Sequence, residues 1–238
     1  MSSDSRTDNG IGTLSEQSLH AALKRWYAQP GDQLEVSVDG YVIDLVRGDL
    51  LIEVQTSGFA SIRPKLRDLV QRHRVHLVYP VAVDRWIVRQ SPDGSEQLGR
   101  RKSSKHGRLE QVFGELVSFP RLVCSPGFTL EVVLVQDEEV RRKDGKGSWR
   151  RKGWSIHDRR LLGVEEQIPL AFPSTYRDLV PVGLPEPFTS RDLARSLALS
   201  RRLGQQMAYC LRKMGVLEVV GKRRNAYLYL PVGEVEPG

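Results

Sequence analysis

Asp44, Glu53 and Gln55 stand at a spacing that would aim three oxygen-bearing side chains at one point. Tyr41-Val-Ile-Asp-Leu-Val46 reads as a β-strand, Arg47-Gly48-Asp49-Leu50 as a tight reversal, and Leu51-Ile-Glu-Val-Gln-Thr56 as the returning strand. With Gly48-Asp49 as a two-residue loop, residue 47 pairs with 50, 46 with 51, 45 with 52, and Asp44 with Glu53. Opposed side chains have β-carbons about 4.5–5.5 Å apart, and like charges held that way repel. A divalent cation is the simplest neutraliser, because Mg²⁺ is held by one or two carboxylates and completes its shell with water and phosphate oxygens. Gln55 falls on the same face by the period of a strand. The alternate set Ile43, Leu45, Ile52 and Val54 is aliphatic and is expected in the core. The plain alternative is a solvated hairpin that carries an acid on each strand.

The elements around the hairpin must position those groups. Upstream, Leu14 to Gln29 carries an apolar helical stripe at Leu19, Ala22, Leu23, Trp26 and Tyr27, with Ser15 or Thr13 as N-cap. Leu34 to Val38 reads as a short strand. Downstream, Phe59 to His73 repeats Ile62, Leu66, Leu69 and Val70 on one helical face, Arg74 to Val83 is an apolar run, and Trp86 to Arg89 is a further strand. The predicted order is α-β-β-β-α-β-β.

This arrangement, with Asp on the second strand and Glu-x-Gln on the third, resembles the PD-(D/E)XK nuclease superfamily over roughly residues 14 to 90. Most of that superfamily has Glu-x-Lys on the third strand, where this chain has Glu53-Val54-Gln55, although some type II restriction endonucleases also use Glu-x-Gln. The resemblance implies a restriction-endonuclease-like α/β fold, a mixed sheet flanked by helices, and a Mg²⁺ (or Mn²⁺) ion held by Asp44 and Glu53. Gln55 would place water or a second ligand to the metal. The missing lysine has two candidate replacements on the following helix, Lys65 and Arg63, and Lys65 would stabilise the pentavalent transition state. Glu35 either adds a carboxylate or decorates the surface.

Charge points to a polyanionic partner. With 36 Lys+Arg against 29 Asp+Glu the chain carries a formal +7. Between positions 139 and 155 a basic arm holds Arg141, Arg142, Lys143, Lys146, Arg150, Arg151 and Lys152, with Trp149 and Trp154 interleaved. Asp144-Gly-Lys-Gly147 supplies turn residues, so the arm reads as a basic hairpin or a flexible loop after a strand from Phe128 to Val135. Such an arm can track phosphates and stack tryptophans on bases. A smaller cluster, Arg100 to Lys105 with Arg108, precedes a helix from Leu109 to Val117 and reads equally as a phosphate contact or an exposed linker.

At the C-terminus, Phe188 to Leu197 gives a short capped helix, and Ser200 caps a second helix that runs to Met214, with Leu203, Met207, Cys210, Leu211 and Met214 on one face. Gly215 stops it. Val216–Val220 and Ala226–Leu230 are strands around the basic turn Gly221-Lys-Arg-Arg-Asn225. Over roughly residues 174 to 231 this order resembles a winged helix, with Tyr176 to Val180 as a short first helix. The resemblance implies DNA contact by Arg201, Arg202 and Gln206 on the second helix of the pair, and by Lys222, Arg223 and Arg224 on the wing.

The expected division is a disordered segment 1–13, a nuclease-like domain 14–172, a Pro-rich connector 173–187, a winged-helix domain 188–231 and a tail 232–238. No apolar run approaches the length of a membrane span and no signal-peptide core is evident, so a cytoplasmic setting is expected. Cys124 and Cys210 fall in different predicted domains, which argues for free thiols. Zinc-ligand spacing and a nucleophile elbow are both missing from the sequence. The expected function is a Mg²⁺-dependent DNA endonuclease of restriction, defence or repair. The alternatives are a catalytically inactive DNA-binding or regulatory protein on the same fold, and an interaction subunit. Double-strand cutting by a single site needs a homodimer, a larger complex or two visits.

Overall fold

The computed structural model describes residues 18–146, 149 and 152–233. The predicted N-terminal segment, the caps Thr13 and Ser15, Arg150 and Arg151 of the arm, and the tail beyond residue 233 lie outside the described residues.

The centre of the molecule is a seven-stranded mixed sheet flanked by helices. Its strands are β1 (Gln33–Val38), β2 (Tyr41–Arg47), β3 (Leu50–Val54), β4 (Arg74–Gln90), β5 (Gln97–Lys102), β6 (Phe128–Arg142) and β7 (Ser155–Leu170). They lie in the order β1-β2-β3-β4-β6-β7, with β5 paired to the far half of β4. The β3–β4 and β4–β6 pairs are parallel and the others antiparallel. The hairpin register is the predicted one, with Leu45 opposite Ile52, Val46 opposite Leu51 and Arg47 opposite Leu50. Gly48 takes the left-handed conformation (φ 57°) that the two-residue turn requires.

Helices cover both faces. On one side α1 (Ser18–Tyr27) sets Leu19 and Leu23 against Leu45, Ile52, Val54, Val78, Val133 and Val135. On the other, α2 (Phe59–Leu69) and the short α3 (Phe113–Leu116) pack Phe59, Leu66, Phe113 and Leu116 against Ile43, Leu51, Leu77, Leu130 and Val132. Strand β3 is therefore buried on both faces, Glu53 included, and the solvated-hairpin alternative fails.

Several predicted boundaries move. The apolar run 74–83 and the strand 86–89 are one strand, β4, because a register shift between Ala82 and Asp84 carries the pairing with β6 past the polar residues. The returning strand of the hairpin ends at Val54 rather than at Thr56. Most of the basic cluster at 100–105 is the edge strand β5 rather than a linker. The helix predicted over 109–117 is a 3₁₀ turn (Leu109–Val112) followed by α3. Strand β6 extends to Arg142, so the arm is a hairpin whose return strand is β7.

The C-terminal elements are α4 (Ser174–Asp178), α5 (Ser190–Ser196), α6 (Arg201–Met214) and the hairpin β8 (Leu217–Arg223) with β9 (Ala226–Pro231). Thr189 and Asp192 form a reciprocal capping box on α5, Ser200 caps α6, and Gly215 closes α6 at φ 80°. The Pro-rich connector does not isolate these helices. Tyr176, Phe188, Leu193, Met207, Leu211 and Tyr229 belong to the same buried cluster as Phe59 and Leu77. Cys210 is buried and Cys124 partly so, both as free thiols. Among the described residues no helix is long and apolar enough to cross a membrane.

Gly204 is where α5 and α6 touch: a β-carbon there would sit 2.5 Å from Ala194 Cβ and 2.9 Å from the Ser190 carbonyl oxygen. Gly204→Ala is expected to destabilise the protein by about 1–3 kcal/mol through overpacking. Urea unfolding measures this, and a wild-type midpoint in the variant would mean that the two helices separate freely.

Candidate active site and cationic surface

Strand β3 runs through Thr56-Ser57-Gly58 into α2, and Gly58 is left-handed at φ 71°. The first amide of α2, Phe59 N, donates to Glu115 Oε2 of α3 at 3.0 Å, so a carboxylate from another element satisfies one exposed donor at this helix end. From this start α2 brings Lys65 back over the sheet. Its Nζ lies 2.6 Å from Glu53 Oε1 and donates to the Val42 carbonyl at 2.5 Å. Lys65 and Glu53 thus form a tight ion pair, and another of the three ammonium hydrogens goes to the backbone.

Asp44 is held differently. Val54 N donates to its Oδ2 at 2.9 Å, and His20 Nε2 of α1 lies 3.2 Å from the same oxygen. Lys24, one helical turn beyond His20, pairs with Glu35 Oε1 at 2.7 Å. Burial pushes the Asp44 carboxyl up, but the His20 ring, the Val54 amide and the positive charge of Lys24 outweigh it and leave it below the usual carboxylate range. For Glu53 the balance is reversed. Burial, and then the negative charge of Asp44, raise it above that range despite Lys65 and the Asp44 amide. Two coupled acids pushed in opposite directions is the pattern that assigns different protonation roles to two carboxyls.

Of the two candidate replacements for the missing lysine, Lys65 reaches Glu53, whereas Arg63 bonds the Ser118 carbonyl at 3.4 Å. Gln55 is not aimed at the acids: its side-chain amide donates to the Ser57 carbonyl and its backbone N to Val78 O at 2.9 Å, so it braces the turn that launches α2. Glu35 is a partner of Lys24. Among the described residues no three His, Cys, Asp or Glu side chains converge as a preformed metal cage. Sequence reasoning missed His20 and Lys24. Their signal was the polar i, i+4 pair beside the apolar Leu19 and Leu23.

The cationic candidates are spread over three places. On the arm, Arg141 is anchored to Glu139 at 2.6 Å and Arg142 to Gln90 at 3.2 Å, while Lys143 and Lys152 are exposed. Trp149 is 83% exposed, and Arg89 sits over the Trp154 ring at 5.1 Å. On α6, Arg201 and Arg202 are exposed, but Gln206 is turned towards α3, its amide oxygen beside Gly114. Gln205 and Tyr209 complete the exposed stripe instead. On the β8–β9 turn, Lys222 packs over Tyr227 at 5.0 Å, Arg223 lies 3.6 Å from Asp192, and Arg224 is exposed.

The fold and site define a mixed α/β protein whose central strand buries an acid against a lysine from the next helix. The chain belongs to the family described as "Domain of unknown function (DUF8091)", whose model matches residues 17–171. That span contains the whole sheet and the Asp44–Glu53–Lys65 cluster. The chain is also similar to an "Uncharacterized protein" of Treponema pallidum (strain Nichols), 33% identical over 223 residues that cover 92% of this chain and 86% of the relative. No solved structure matches it.

The pair of carboxyls gives a titration test. In carboxyl-detected NMR, Glu53 is expected to inflect at higher pH than Asp44. Asp44→Asn should move the Glu53 inflection down, because it removes the negative charge that holds the Glu53 proton on. An unmoved Glu53 would show that the two groups are not coupled.

Proposed function

We propose that this protein is a metal-dependent DNA endonuclease built on a restriction-endonuclease-like core with a C-terminal winged helix. The observation that carries the reading is the Asp44–Glu53–Lys65 cluster at the β3–α2 junction, in which two carboxyls from neighbouring strands and a lysine 2.6 Å from one of them are brought together. The donor set fits a hard divalent cation: two carboxylates, with water and substrate oxygens left to complete the shell. Asp44 and Glu53 would hold Mg²⁺ or Mn²⁺. Bound there, the ion supplies activation of a water and neutralisation of charge on the phosphoryl oxygens.

The chain's own residues do the rest. Asp44 stays ionised at neutral pH because His20 and the Val54 amide stabilise its charge. Lys65, fixed by the Val42 carbonyl, offsets the charge that grows on the phosphate as the bond to the attacking oxygen forms. This is the task that a lysine at position 55 would have. Gln55 contributes by holding the Ser57–Gly58 turn and with it the start of α2. Docking falls to the exposed stripe Arg201, Arg202, Gln205 and Tyr209 of α6, the Lys222–Arg224 turn and the arm, all sequence-independent phosphate contacts in the first instance.

A second reading, a catalytically inactive DNA-binding or regulatory protein, draws on one observation. His20 and Lys65 already pair with the two acids without any metal.

A plasmid-relaxation assay separates them. Wild-type protein with Mg²⁺ or Mn²⁺ is expected to nick supercoiled DNA. Asp44→Ala and Glu53→Ala should fall below detection, and Lys65→Ala should lose about 10²–10³-fold in rate. Equal nicking by wild type and both alanine variants would assign the activity to a contaminant. Salt-sensitive binding without cleavage under any metal would leave the second reading standing.

A further inference from the structure

We propose that the far half of the sheet carries a second site, a phosphate-binding pocket between β4, β6 and the segment that follows β5. The pocket encloses about 240 Å³ and is lined by the charged or polar residues Arg85, Arg141, Lys105, His106, Ser103 and Gln111, with no carboxylate among its lining residues. The candidate active site is level with Leu77 on β4, opposite Glu53. Arg85 is eight residues further along, about 25 Å at the rise of a strand.

The pocket is built rather than incidental. The register shift between Ala82 and Asp84 ends the apolar alternation of β4 and puts Arg85 beside Asp137 of β6. Asp137 and Glu139 are 0% and 2% exposed, a placement that is costly for carboxylates unless they are fully paired. Arg85 grips Asp137 with two parallel bonds of 2.7 and 2.6 Å and reaches Glu139 at 3.2 Å. Arg141 bonds Glu139 at 2.7 Å, and Arg159 lies 3.5 Å from it. The buried acids therefore fix the guanidinium planes before any ligand arrives. Three guanidinium groups face two carboxylates there, and Lys105, exposed and without an ion-pair partner among the described residues, adds a further positive charge at the rim.

The wall is held close by Gly107, whose amide donates to the Ala82 carbonyl at 2.9 Å. A β-carbon there would lie 2.3 Å from that oxygen. His106 is fastened through Nδ1 to Asp84 at 3.1 Å and the Val83 carbonyl at 3.2 Å. The result is a partly open pocket in which two guanidinium groups held in place by buried acids, the exposed Lys105 ammonium and the polar Ser103 and Gln111 come together, cationic chemistry that suits a phosphate group. The source is either a terminal phosphomonoester or an internal phosphodiester of a nucleic-acid strand.

The test is calorimetric titration of the full chain with inorganic phosphate in EDTA, beside anisotropy titrations of two labelled single-stranded oligonucleotides that differ only in a 5′-phosphate or 5′-hydroxyl. Lys105→Gln, an exposed position that leaves the fold intact, should weaken phosphate binding about tenfold, as loss of a charge-assisted contact does. Arg141→Lys, which keeps the charge but not the fork, should weaken it as well. A preference for the 5′-phosphate that disappears in Lys105→Gln assigns the pocket to a strand end. Equal binding of both oligonucleotides, weakened in the variant, assigns it to an internal phosphodiester. No saturable phosphate binding, or none affected by either substitution, overturns the proposal. Because the readout is binding without metal, it stands apart from the nicking assay and should persist in Asp44→Ala.

Discussion

A carboxylate buried in the central strand of a sheet costs several kcal/mol unless a cation meets it there, and much of this molecule is arranged around that cost at Glu53. Strand β3 is flanked by β2 and β4 and covered by α1 and α2, so bulk water supplies little of the compensation. Lys65 supplies it. For Lys65 to arrive, α2 must start abruptly after β3, which requires the left-handed Gly58, the bracing amide of Gln55 and the Glu115 carboxylate on the first helical donor. The neighbouring acid, Asp44, is given separate partners, His20 of α1 and the Val54 amide of β3, so the two acids lie close without both leaning on one cation.

The register of the β2–β3 hairpin was legible in the sequence because a two-residue loop and a period of two leave no freedom once the loop is chosen. The C-terminal order was legible for a similar reason: Thr189, Ser200 and Gly215 are local signals whose chemistry is complete within a few residues. The unity of β4 was not. Asp84 and Arg85 look like the polar end of a strand, and what keeps Arg85 within the sheet is Asp137, 52 residues away in the chain. Strand β7 escaped notice because it pairs on one side only and its exposed positions interrupt the alternation. His20 and Lys24 were invisible to a reading of α1 that counted only its apolar stripe. Gln55 was given a place at the site by strand period and by the Glu-x-Gln resemblance, but the strand had already ended one residue earlier.

The sheet has two characters along its length. Its near half, where β3, β4 and β6 run parallel, is built mainly of Val, Leu and Ile on both faces around the buried Glu53 and Glu131, as expected of strands covered by helices. Its far half, where β5 and β7 flank β4 and β6, is held by guanidinium–carboxylate pairs and by cations over the rings of Trp86 and Trp154. The first half sets a rigid platform. The second presents charge without losing strand geometry, because each buried acid is met by an arginine from a neighbouring strand.

The apolar cluster that joins Phe59 and Leu77 to Phe188, Met207 and Leu211 means that the last quarter of the chain is not an appendage on a hinge. Severing the polypeptide at the proline-rich stretch would strip the helical side of the platform and leave a greasy scar on both fragments. Heat or denaturant should accordingly melt the whole chain in one step. The exposed face of α6 is thereby held at a constant distance from the strand that carries Glu53, as the welded jaws of a caliper are.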